Sequence, residues 1–178
     1  MITAYKNILS AISSDDKEKW RNKFTWELAR HSVSEELVVY PQFEKLLPDG
    51  KDMTQKDREE HLKVKKLLNQ FQDMQPEHAD FEIVLQNLWS QLSEHIKEEE
   101  HHGCSDLVAL EKALDQAHSE KLVKSFNRTK MFAPTRSHPH APNKPPFETV
   151  AGLIAAPIDR LRDIFRSFPE ETKGRPPP

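Results

Sequence analysis

Residues 29–41 read ARHSVSEELVVYP, and they set His31 and Glu35 four positions apart in the middle of a long helical pattern. The pattern extends both ways: Trp20, Phe24 and Leu28 precede the pair and Val38 follows it, in steps of three or four. Such steps line one face of a helix, because a turn takes about 3.6 residues. An imidazole and a carboxylate therefore interrupt an otherwise apolar seam. The same happens over residues 81–99, where Phe81, Leu85, Leu88 and Leu92 lead to His95 and Glu99. A third stripe consists of His61, Val64, Leu68 and Phe71. A carboxylate buried without a partner costs several kcal/mol, so these groups must neutralise, pair or bind a cation.

The remainder of the chain suits a helical bundle. Of 178 residues only 4 are glycine, 31% are charged, and strand-type alternation is absent, as expected for helices with solvated outer faces. The pattern predicts helices at about residues 2–12, 16–41, 55–74 and 78–102, then shorter ones at 105–118 and 119–132. Asp15 and Glu18 stand in capping-box spacing, Pro41 should kink or end the second helix, Thr54 is a candidate cap, and Gly103 is a stop signal. A compact part over residues 1–132 follows.

Composition then changes, since ten of the 13 prolines fall at or after Pro134. Residues 133–146 read as a proline-stiffened linker, 147–168 as an amphipathic helical tail, and 169–178 as a disordered end. The tail reads as a helix pair with Pro157 in the first turn of the second. Its apolar set is Phe147, Val150, Ile154, Ile158, Leu161, Phe165 and Phe168. That set is expected to dock on the bundle, the alternative being a protein partner or a membrane surface.

Several function classes are excluded. A net charge of −3 with no basic stripe gives no basis for binding nucleic acid. No segment approaches the roughly 20 apolar residues that span a bilayer, so an integral membrane protein is not expected. Cys104 stands alone, which rules out an internal disulfide and suits a reducing compartment. The first residues, MITAYKNILSAISSDDK, lack the basic and apolar regions of a secretory signal. The cytoplasm is the expected location.

Height along the bundle connects the three stripes. His31 and His95 each lie about 15 to 17 residues into helices that run parallel in an up-down bundle, or about 22–26 Å from their starts. His61 approaches the same level from the opposite direction. His31, Glu35, His61, His95 and Glu99 can therefore share one layer. Three imidazoles and two carboxylates suit a borderline-to-hard divalent metal, and two carboxylates are what two cations need as bridges. The bland alternative is a set of core histidines paired with glutamates.

At these residues the chain resembles the hemerythrin-like (HHE cation-binding) family, whose pattern is His-x-x-x-Glu-Glu followed by Tyr/Phe-Pro. HSVSEELVVYP matches it closely, EEHLKVKKLL resembles the helix that follows, and HIKEEE resembles the second such motif. The segment from TKMFAPTRSHPHAP to the IFRSFP stretch is similar to the tail of fungal-type members. The resemblance implies a four-helix bundle with a non-heme di-iron site that engages O2 or a similar diatomic ligand. It carries over His31, Glu35, His61, His95 and Glu99 as iron ligands, with Glu35 and Glu99 as bridges. Two departures stand out. HHGCSDL replaces the usual Leu/Phe-Pro after HIKEEE, leaving His101 and His102 as extra ligands or as surface residues. The shortened first helix has no histidine, so either the start is incomplete or one iron position is open. Binding or sensing of O2 or iron is the expected function, and no catalytic residue is identified. The alternatives are a di-iron or di-manganese oxidase or peroxidase, and a metal-deficient scaffold whose tail binds a protein partner.

Overall fold

A computed structural model describes residues 1–100, 106–141 and 147–170, and of 99–100 and 147–154 the backbone alone. Among the described residues the chain is all-α. Helix α1, Ile2–Ser10, is short, and α2 covers Ser14–Ser34. The cap of α2 lies two residues ahead of the expected Asp15: the Ser13 hydroxyl accepts from the Asp16 N–H at 3.1 Å. That leaves Asp15 and Asp16 in the first turn, where the helix dipole favours negative charge.

Pro41 does not end the second helix. A π-helical turn over Glu35–Val39 follows α2 and runs on into α3, Tyr40–Leu46, with Pro41 in its first turn. A proline ring crowds the carbonyl four residues back and offers it no N–H. Widening the preceding turn to five-residue hydrogen bonding, as from the Tyr40 N–H to the Glu35 carbonyl, accommodates both effects.

Helix α4, Gly50–Phe71, begins before the expected Thr54 cap. Thr54 is instead buried, its hydroxyl donating to Glu44 at 3.0 Å. Gly50 is required at the α3–α4 corner, because a Cβ there would sit 1.9 Å from the Phe43 carbonyl oxygen. Helix α5 covers Phe81–Glu100, α6 Asp106–Ala113 and α7 Gln116–Phe132, the last capped by Asp115. Helix α8 covers Phe147–Asp163 as one continuous helix with Pro157 inside it, where a helix pair was expected. None of these helices is long and apolar enough to cross a membrane.

The core joins α1, α2, α4 and α5. Ala4 and Ile8 pack with Phe24 and Leu28, with Val64, Leu68 and Phe71, and with Phe81, Leu85, Leu88 and Leu92. Phe71 sits at the centre, edge-on to Phe24 at 6.3 Å and tilted against Phe81 at 5.0 Å. Each stripe identified by spacing thus faces this core. A second cluster, Val39, Tyr40, Phe43 and Leu110, joins the π turn and α3 to α6, with Leu122 and Phe126 of α7 packed against it.

The tail docks through polar groups. Ser137 donates its N–H to Gln72 at 2.9 Å, and Arg136 pairs with Asp73. Asp159 of α8 accepts from the Arg136 N–H at 3.2 Å and lies 2.8 Å from His138 Nε2. Of the expected docking stripe, Ile158, Leu161 and Phe165 are exposed and Phe168 is half-buried. Phe147, Val150 and Ile154 fall outside the described side chains.

Candidate metal centre

Three elements converge at one level of the bundle: the α2–π junction, the middle of α4 and the C-terminal half of α5. They bring Glu35, His61 and His95 together, all buried, with one donor atom from each lying within 4.8 Å of the others. The Nε2 atoms of His61 and His95 face each other at 2.9 Å, and Glu35 Oε2 lies 3.5 Å from His61 Nε2. Glu35 Oε1 bonds His31 Nε2 at 2.9 Å. His31 is the solvent-facing member, 26% exposed, its ring edge-on to Phe126 at 5.8 Å. The structure therefore brings His31, Glu35, His61 and His95 together. Glu99 is on α5, but its side chain, like His101, His102 and Cys104, lies outside the described residues.

Spacing alone does not single out the groups behind these four. His61 Nδ1 is 3.2 Å from Glu36 Oε1, and His95 Nδ1 is 3.0 Å from Glu60 Oε2. Glu36 is itself buried and gripped by Lys65 Nζ at 2.7 and 2.5 Å. In an ordinary α-helix neighbouring residues point about 100° apart; here both Glu35 and Glu36 are buried, at the start of the widened turn. The signal that could have found this is Pro41, which calls for an irregular turn ahead of it. Tyr40 adds a buried hydroxyl 3.2 Å from His61 Nε2. Asp57, four residues before His61, joins Glu60 and His95 in a second cluster of donor atoms within 4.8 Å.

An ionised carboxylate only accepts hydrogen bonds, so the Nδ1 of each ring is the donor to its glutamate. Both Nε2 atoms then point into the same space, 2.9 Å apart, the length of an N–H···N hydrogen bond in which one donates to the other. Glu35 Oε2, also buried there, has no hydrogen-bond donor. Burial opposes ionisation of Glu35, but the hydrogen bond from His31 and the charges of His31, His61 and His95 outweigh it and hold the carboxyl below its ordinary value. Glu36 is likewise held low against its burial, by the His61 hydrogen bond and Lys65. Two inward imidazole nitrogens beside an ionised carboxylate oxygen form an incomplete ligand set for a cation; the donor chemistry fits a divalent transition metal.

The first helix ends one turn short of this layer. The Met1 amine pairs with Glu27, one turn before His31, and α1 carries no histidine. On the other side, a small groove of about 40 Å³ lies between α2, α4 and residues 134–141, with Glu36, Lys65 and His138 in its walls.

The chain is similar to known proteins over most of its length. The Hemerythrin HHE cation binding domain profile matches residues 2–102. An uncharacterised hemerythrin-like protein of Schizosaccharomyces pombe is 54% identical over 166 residues, covering 93% of this chain and 80% of the relative. No solved structure matches.

Proposed function

Since the chain belongs to the hemerythrin HHE cation-binding family, we propose that the layer of Glu35, His61 and His95, with His31 beside it, binds iron for O2 or iron handling. The observation that carries this reading is the pair of facing Nε2 atoms with the donor-less Glu35 Oε2 between α2, α4 and α5. At that separation one proton bridges the two nitrogens, and a cation that displaced it would take a lone pair from each ring beside the Glu35 carboxylate. Glu99, one turn beyond His95 on α5, is the proposed further carboxylate that would help hold the metal.

Bound iron supplies reversible redox change and an open coordination position for a diatomic ligand. The chain's own residues do the rest. Glu36 and Glu60 hold the two rings with Nε2 inward, and Lys65 balances the charge of Glu36. Phe126 and the half-buried His31 close the solvent side. Tyr40 places a hydroxyl against His61 on the buried side. The cytoplasm, with its reduced iron, is the proposed location.

Thermal unfolding with and without anaerobic Fe(II) tests the reading. A cation that binds only the folded chain stabilises it by about 2.7 kcal/mol at a hundred times its dissociation constant. The rise in Tm should appear in the native chain and vanish in Glu35→Ala. An equal rise in both would place the ion elsewhere.

A further inference from the structure

Over its described side chains, residues 155–163, helix α8 turns acids inward and large apolar groups outward. Its described inward residues are Ala156, Asp159 and Asp163, at 4%, 0% and 5% exposure, whereas Ile158 and Leu161 stand outward at 51% and 61%. The turn after it adds Ile164 and Phe165, at 71% and 85%. Large apolar side chains exposed together at helical spacing, on a helix that spends its acids on the docking contact, mark a surface with an occupant.

The charge around this face identifies the occupant. Both acids among the described side chains of α8 point inward: Asp159 accepts from the Arg136 N–H, and Asp163 is buried beside it. What flanks the apolar stripe outward is exposed Arg162, with half-buried Arg160 at one edge and, at the other, Arg166 paired with Asp73 at 3.0 Å. Arg160 bonds the Met131 carbonyl and lies 5.8 Å from the Phe132 ring, so it joins two further exposed apolar residues of α7 to the patch. The chain as a whole carries a net charge of −3, so this basic rim runs against its overall sign. Apolar side chains bordered by arginines whose stems can reach past them is the chemistry of a helix lying in an anionic lipid interface. A two-fold contact between copies would bring Arg162 of one chain toward the same basic rim of the other.

We propose that the outward face of α8, Ile158, Leu161, Ile164 and Phe165 with Arg162, is a peripheral docking surface for an anionic membrane. The chain would lie on the bilayer by this face without crossing it, and the surface shares no residue with the metal layer.

Co-sedimentation of the full chain with vesicles tests this, using phosphatidylcholine alone and phosphatidylcholine mixed with phosphatidylserine. Binding should occur with the mixed vesicles, weaken with salt, and be slight with phosphatidylcholine. Leu161→Gln with Phe165→Ser should weaken it about tenfold or more, and Arg162→Ala about fivefold. All three positions are exposed, so unchanged melting curves should accompany the loss. No binding to either vesicle, or equal binding to both, would overturn the proposal. So would a dimer in light scattering that the Leu161→Gln, Phe165→Ser variant abolishes, because the face would then belong to a second copy.

Discussion

His61 and His95 meet across the bundle with their Nε2 atoms 2.9 Å apart, each ring held from behind by a glutamate on its Nδ1. The two helices that supply them pack through Leu68, Phe71, Phe81 and Leu85, so an apolar core sets the distance between the rings. The glutamates set their rotation. Core and polar layer are thus parts of one device, and each can be disturbed separately.

Glu60 is half-buried, with one oxygen 3.0 Å from His95 Nδ1 and the other 3.6 Å from the Lys56 amine. Glu60→Gln should lower Fe(II) affinity about 10- to 100-fold, the usual cost of losing the partner that orients a histidine ligand. Its apo melting temperature should hardly change. Titration with a competing chelator measures the first and calorimetry the second; unchanged affinity would show that His95 needs no such support.

Buried Glu36 pairs with half-buried Lys65, and removing the lysine leaves a buried carboxylate with His61 as its remaining partner. Lys65→Met should therefore cost about 1–3 kcal/mol. Adding Glu36→Gln to it should recover part of that loss, since the second change removes the orphaned charge. Denaturant unfolding of the single and double variants gives the comparison, and a double variant less stable than Lys65→Met would contradict it.

Gly50→Ala should destabilise the fold by about 1–3 kcal/mol, as overpacking does, because the new methyl collides with the Phe43 carbonyl rather than with a side chain that can rotate away. The same denaturant melts decide this, and a neutral result would mean the α3–α4 corner is looser than its geometry.

Burial pushes the Asp163 carboxyl above its ordinary value of 3.8, and the charge of Asp159 adds to this, against the pull of Thr135, Arg136 and Arg160. A carboxyl raised in the folded state favours folding while protonated, and that advantage fades as pH rises through its folded value. Asp163→Asn should thus melt higher than the native chain near neutral pH. The gap should close as pH falls toward 3.8. A gap that widens on acidification would reverse the sign.

The sequence was most legible where one periodicity governs one face. Phe24, Leu28, Val64, Leu68, Leu85 and Leu88 all lie in the core that their spacing implies, and His61 and His95 end their stripes at one level. Spacing failed where the helix is irregular. The apolar stripe of α2 passes through Glu35 and not Glu36, whose burial comes at the start of the π turn before Pro41. It failed again at α8, whose apolar stripe was expected to dock. Asp159 has a backbone N–H and His138 to satisfy it on the bundle side, and no hydropathy pattern encodes those partners. Pro157, which suggested a break, sits inside a continuous helix.

The central claim is that Glu35, His61 and His95 hold iron. Elemental analysis of the chain after anaerobic Fe(II) loading and desalting tests it most directly, with His61→Ala and His95→Ala in parallel. The account predicts stoichiometric iron in the native chain and little in either variant, with both variants still helical by circular dichroism. Iron retained equally by all three, or by none, would contradict it.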